Sequence, residues 1–172
     1  MRHHRPARND ALRLTRKGLS FRGQTWPCTI GRSGRVTNKC EGDGGTPVGR
    51  HRIAGLLYRS DRLRRPAPWA RAIGPRSLWS DDPSDPAYNH PVTAPYTGSH
   101  ESLRRSDPLY DVILVINWNY PIAMPGRGSA IFIHQWRRRA YPTEGCIALP
   151  RQALLHLARR VMPGTPVLIP PP

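Results

Sequence analysis

The stretch Ser129-Ala130-Ile131-Phe132-Ile133-His134-Gln135-Trp136-Arg137-Arg138-Arg139-Ala140-Tyr141-Pro142-Thr143-Glu144-Gly145-Cys146-Ile147-Ala148-Leu149-Pro150 bears on both fold class and chemistry. Its opening, Ala130-Ile131-Phe132-Ile133, is a short apolar run rich in β-branched and aromatic residues. Such a run reads as a buried strand, and it leads straight into His134. A basic loop follows, then Gly145-Cys146, then Pro150, a residue suited to a first helical turn. The loop is long enough to fold back and set the imidazole beside the thiol. A free thiol titrates near about 8.5, so at neutral pH it needs a neighbouring base to take its proton. Gly145 lets the chain pass close to a substrate carbonyl, and the amides of Gly145 and Cys146 are candidate donors to a tetrahedral oxyanion. These are the parts of a cysteine acyl-transfer site. The same residues admit a plainer reading, a small buried cysteine at a strand end. A metal site fits less well, because the segment offers two soft ligands where zinc takes three or four.

Outward from this stretch, the residues predict short strands. The best lies at 110–117, around the apolar run Val112-Ile113-Leu114-Val115-Ile116. Others are expected at 12–15, 25–30, 48–57 and 167–169. The turn Gly31-Arg32-Ser33-Gly34 is expected to close a hairpin. Residues 41–49 are held irregular by Gly and Pro, and residues 60–108, without periodicity, predict long surface loops over the sheet. One helix is expected from 150 to about 161, burying Leu154, Leu157, Ala158 and Val161 and stopped by Pro163-Gly164. The fold class is mainly β, with long loops and one C-terminal helix after the cysteine. Residues 1–9 read as a basic loose arm, and residues 10–172 as one domain.

Composition agrees: 20 Pro and 15 Gly among 172 residues leave little room for helix. The formal net charge of +16 is almost all arginine, since Lys17 and Lys39 are the only lysines. Such a charge suits a polyanionic partner, or is simply solvated, and does not choose among nucleic acid, membrane surface and wall polymer. No apolar run approaches the roughly 18 residues needed to span a bilayer. The basic start Met1-Arg2-His3-His4-Arg5 is followed by no apolar export core. Export signal removed, unconventional export and action inside the cell all remain open. Cys28, Cys40 and Cys146 are odd in number. A Cys28–Cys40 disulfide across the expected hairpin and two separate thiols are both open readings.

At Thr46-Pro47-Val48-Gly49-Arg50-His51-Arg52-Ile53, and at His134 followed by Thr143-Glu144-Gly145-Cys146, the chain resembles the L,D-transpeptidase catalytic domain, the YkuD-type family. Trp79-Ser80-Asp81-Asp82-Pro83, Tyr88-Asn89-His90-Pro91-Val92 and Gly126-Arg127-Gly128-Ser129 resemble segments of its short members, so the likeness runs from about residue 20 to the end. The resemblance implies a β-sandwich-like fold and acyl transfer on peptidoglycan stem peptides in the periplasm or cell envelope. It makes Cys146 the nucleophile and His134 the base, puts Gly145 in the oxyanion-hole turn and matches Thr143 to the motif's hydroxyl. It implies no metal or organic cofactor, and a carbapenem as covalent inhibitor. Two residues depart from the family pattern. Glu144 stands where a second histidine is usual, and its charge disfavours a thiolate. Ala148 stands where an arginine usually holds a substrate carboxylate, which turns attention to Arg137-Arg138-Arg139 as a replacement grip, against the plainer reading of a solvated loop.

Tyr88, Asn89 and His90 are candidates for lining the cleft and equally at home in turns. Trp136 either covers the stem peptide or packs, and His100-Glu101 either starts a short helix or helps orient the site, the structural reading being preferred. The rival functions are an L,D-carboxypeptidase or stem-peptide hydrolase with the same Cys–His site, a basic nucleic-acid-binding protein and a non-catalytic wall-binding module. Nucleic acid is not the expected partner, because no basic helix stripe or ordered aromatic platform is visible.

Overall fold

The most apolar segment of the chain becomes a strand buried on both faces. Val112, Leu114 and Ile116 enter one core while Ile113 and Val115 enter another, as the two-residue period of a strand requires. The computed structural model describes residues 10–172; the basic arm expected at 1–9 lies outside the described residues. In chain order the strands are β1 (Leu12–Thr15), β2 (Gly18–Phe21), β3 (Gln24–Trp26), β4 (Arg35–Val36), β5 (Thr46–Pro47), β6 (Gly49–Tyr58), β7 (Arg71–Ala72), β8 (Ser77–Ser80), β9 (Pro91–Thr93), β10 (His100–Ser102), β11 (Val112–Ile116), β12 (Phe132–Gln135) and β13 (Ile147–Leu149). Helix α1 (Arg151–Ala158) and strand β14 (Pro166–Ile169) complete the fold. It is mainly β with one helix, as the residues predict.

The large sheet runs β13-β12-β11-β6-β14-β1-β2-β3, with β7 added beside β6. Beyond β3 the chain reaches β13: Thr29 and Ala148 exchange two backbone hydrogen bonds of 2.9 Å. The two ends of the sheet therefore meet, and it curls into a near-barrel. Helix α1 packs Ala153, Leu154, Leu157 and Ala158 against the inner core. On the outer face of β11 and β12, a three-stranded sheet β10-β8-β9 brings Trp79 against Phe132, their rings edge to face at 5.1 Å. Phe132, Ile133 and Leu114 are fully buried, each worth roughly 1.5–3 kcal/mol of apolar burial.

Several local expectations change, among them the irregular stretch 41–49, which contains β5, and the strand at 25–30, which is β3. The hairpin forms between β2 and β3, not around Gly31–Gly34, because Arg22 and Gly23 both take positive φ (47° and 81°), the geometry of a tight two-residue hairpin turn. Residues 60–108 carry β7 to β10 rather than loops alone; these strands of two to four residues are too short to show periodicity. The strand leading to His134 starts two residues later than expected and contains the histidine. A further strand, β13, separates Cys146 from the helix, which ends at Ala158, ahead of Pro163-Gly164.

Candidate active site

His134 and Cys146 come together because β12 and β13 pair in parallel, with His134 opposite Ala148. Side chains alternate along a strand, so Cys146, two residues before Ala148, shares the face of His134. Both line one cavity of about 520 Å³, together with Glu101, Arg105, Tyr110 and Arg137. Cys146 is buried; its thiol donates to the Ala130 carbonyl (3.2 Å) and accepts from the Phe132 N–H (3.4 Å). Burial pushes this thiol up to about 12, the charge of Glu101 acts in the same direction, and the Phe132 N–H and Lys39 oppose them. Burial also holds His134 down to about 4, against the pull of the Gln135 carbonyl. The resting pair is thus thiol and neutral imidazole. Nδ1 of His134 lies 2.7 Å from the Gln135 carbonyl. A carbonyl only accepts, so Nδ1 carries the proton and Nε2 keeps its lone pair, as a base requires.

The turn before Cys146 is tightly held. Gly145 takes φ of +141°, and a Cβ there would lie 2.8 Å from the Gly45 carbonyl oxygen, so only glycine fits. The Thr143 hydroxyl donates to the Cys146 carbonyl (2.6 Å) and accepts from the Gly145 N–H (3.1 Å). Of the two expected oxyanion donors, the Gly145 amide is therefore engaged. The Cys146 N–H has no hydrogen-bond partner among the described residues. Thr46, fully buried, donates to the Gly145 carbonyl (2.8 Å) and accepts from the Gly31 N–H (2.9 Å). Residues 29–32 brace the same turn, with Arg32 N–H on the Thr143 carbonyl and Thr143 N–H on the Ile30 carbonyl. The Gly31–Gly34 region thus serves as a strut beneath the cysteine.

The remaining predicted site residues divide. Arg137 lines the cavity, its guanidinium over the Tyr141 ring at 5.5 Å, and Arg138 stacks on the same ring at 5.2 Å. Arg139 and Trp136 instead line a separate groove with Cys28. Tyr88, Asn89 and His90 do not line the cavity of Cys146; they bind the loop that supports it. Asn89 Oδ1 accepts from the Trp79 indole and from the Ala130 N–H, both at 2.9 Å, and its amide donates to the carbonyls of Trp118 and Asn119. The Tyr88 hydroxyl donates to Glu41 and accepts from Gly128, and His90 reaches the carbonyls of Tyr88 and Pro121. Asn89 thereby sets the position of Ala130, the residue whose carbonyl holds the thiol. Glu144 is highly exposed and paired with Arg32 at 3.0 Å. Its charge is not among those acting on Cys146; that of Glu101 is.

Sequence reading gave no site role to Thr46, Tyr110 and Arg105, and preferred a structural role for Glu101. Thr46 stood in the quoted motif without a role, and Glu101 in a segment without periodicity. Arg105 pairs with Asp107 through two bonds of 2.8 and 2.6 Å and lies 5.2 Å over the Tyr110 ring. Cys28 and Cys40 are free thiols, Cys28 half-buried and raised to about 11 by that burial, Cys40 exposed. Among the described residues no three of His, Cys, Asp and Glu gather as a metal-holding set, and no helix is long and apolar enough to cross a membrane.

Thiol, imidazole and a glycine-opened turn in one cavity are the components of cysteine acyl transfer. The chain belongs to the L,D-transpeptidase family: the YkuD model, described as the L,D-transpeptidase catalytic domain, matches residues 8–169. That family acts on peptidoglycan stem peptides of the cell wall. No curated protein and no solved structure gives a match.

Proposed function

We propose that this chain is a peptidoglycan L,D-transpeptidase of the bacterial cell envelope, cross-linking stem peptides through a thioester on Cys146, with residues 10–172 as its catalytic domain. The observation that carries the reading is the shared cavity of Cys146 and His134 on neighbouring parallel strands. Nε2 of His134 takes the thiol proton as sulfur attacks a stem carbonyl at an L-centre. The C–S bond forms, the carbonyl oxygen becomes an oxyanion beside the Cys146 N–H, and the C–N bond to the following D-residue breaks. The leaving amine recovers its proton from His134. An amine of a neighbouring stem, on diaminopimelate in this family, then attacks the thioester; sulfur leaves and is reprotonated through His134.

Ala148 lies directly beside His134 and offers no guanidinium. Donor selection is therefore non-standard, with Arg137, and behind it the Asp107-bound Arg105, as the cations that meet a stem carboxylate. Glu144, tied to Arg32, does not silence the thiol.

The test is incubation with purified muropeptides followed by mass spectrometry. Dimers are expected, and tandem sequencing of the cross-link identifies the donor residue. Shortened monomers alone would assign the L,D-carboxypeptidase activity instead, and no change in the muropeptides would reduce the chain to a wall-binding module.

A further inference from the structure

Two carboxylates, Glu101 and Glu144, line the cavity of Cys146; Glu144 is ion-paired with Arg32, whereas Arg105, the cation that acts on Glu101 there, is itself paired with Asp107. Glu101 sits on β10, partly buried, and accepts a hydrogen bond of 2.6 Å from the Tyr110 hydroxyl at Oε2. Its other oxygen accepts no hydrogen bond among the described residues. The Tyr110 ring stands edge-on to the His134 ring at 5.2 Å, so one side chain fixes the carboxylate relative to the base. This charge opposes formation of the thiolate, so the acylation step gains nothing from it. The second half-reaction differs, because it brings a cation to the same place. An acceptor amine arrives as an ammonium, which has no lone pair for attack until it loses a proton. An ammonium must lose two protons in all, and His134, with Nδ1 on the Gln135 carbonyl, has only Nε2 free, which the proton bound for the departing sulfur requires. Burial, with the charges of Asp81 and Glu41, raises Glu101 against the Tyr110 hydroxyl and Arg105, which lower it, while the same desolvation lowers an alkylammonium, narrowing the gap between them.

We infer that Glu101, positioned by Tyr110, is the acceptor-side residue that binds the incoming ammonium and takes its first proton. The inference rests on the transpeptidase reading above. In atoms, R–NH₃⁺ gives a proton to the Glu101 carboxylate and becomes R–NH₂. The free amine attacks the thioester carbon; the C–N bond forms and the C–S bond breaks. The second amine proton passes through His134 to the departing sulfur, restoring the thiol. The proton on Glu101 then leaves to water, balancing the one that the departed D-residue amine takes from water to become an ammonium.

The experiment is the partition of the acyl-enzyme between nucleophiles in wild type, Glu101→Gln and Glu101→Asp. A purified stem muropeptide serves as donor and ammonium acceptor, and hydroxylamine, uncharged at neutral pH, as a nucleophile that needs no deprotonation. In Glu101→Gln the ratio of dimer to hydrolysed monomer falls roughly tenfold or more, within the range of a positioned proton acceptor. The ratio of hydroxamate to hydrolysed monomer changes less than about twofold, and Glu101→Asp recovers part of the dimer. Both ratios count only molecules that have acylated, so a lower folded fraction does not imitate the result. Equal loss of both ratios, or an unchanged dimer ratio, overturns the role of Glu101 and leaves the transpeptidase reading standing. A wild-type protein that never forms a thioester, or forms one and only hydrolyses it, overturns that reading and this inference with it.

Discussion

Cys146 is held between the Ala130 carbonyl and the Phe132 amide, and His134 lines the same cavity from the adjacent strand. Replacing it with alanine puts one small buried side chain for another, so Cys146→Ala should fold as wild type and form no muropeptide dimers. Dimers from that variant would end the mechanism. His134→Ala should lower turnover by roughly 10²–10⁴-fold, the contribution of a positioned base, with activity returning as pH climbs towards the thiol's own value. A pH–rate profile superimposable on wild type would make His134 structural. The same histidine marks stability. Its folded value, about 4, lies below the unfolded value of 6.5, so as pH falls the unfolded chain binds the proton first. Its contribution is complete above 6.5 and is lost as pH drops towards 4, about 3 kcal/mol in all. Urea titrations across that window should show a steeper loss for wild type than for His134→Ala.

The turn at Thr143–Cys146 is an element built by distant segments. Thr46 joins the Gly31 amide to the Gly145 carbonyl, and residues 29–32 brace the other side. In Thr46→Val the shape is kept and both backbone partners lose their bond, at a cost of about 1–3 kcal/mol for buried groups left unpaired. The expected outcome is a lower urea midpoint together with slower acylation by a carbapenem. Loss of stability with undiminished acylation would mean that the turn holds without Thr46. The short strands β8 and β10 work similarly, since they set Trp79 and Glu101 against the outer face of the sheet. Their two-to-four-residue neighbourhoods carry too little pattern to be read alone.

The chain carries a net charge of +16, and its described arginines line more than one groove. The arginine run divides, with Arg137 at the cavity of Cys146 and Arg139 in another groove. Arg137→Ala should therefore weaken donor-stem affinity and reduce its salt dependence, while Arg139→Ala leaves both as in wild type. Equal effects from the two would show that the charge acts as a diffuse field. A carbapenem should add once, at Cys146, by intact mass and peptide mapping. The exposed Cys40 and half-buried Cys28 are free and lie outside the cavity; an adduct on either would point to a different nucleophile.

The sequence alone determined the β character of the fold, the helix following the cysteine and the apolar strands at 112–116 and leading into His134; it singled out Cys146 and His134, and the structure sets both in one cavity. Each rests on local signals: apolar runs, a proline at a helix start, a glycine before a thiol. It misplaced the hairpin because Gly18–Phe21 is too short to stand out, and it read Glu101 as structural because a carboxylate in an unpatterned segment carries no address. Only the tertiary structure decided that Tyr88, Asn89 and His90 support the site from behind, that Glu144 pairs with Arg32, and that Glu101 shares the cavity of Cys146, held there by Tyr110. Local propensity is written within a few neighbouring residues. The environment of a charge depends on which segments a curled sheet brings together, and that is settled only when the chain closes on itself.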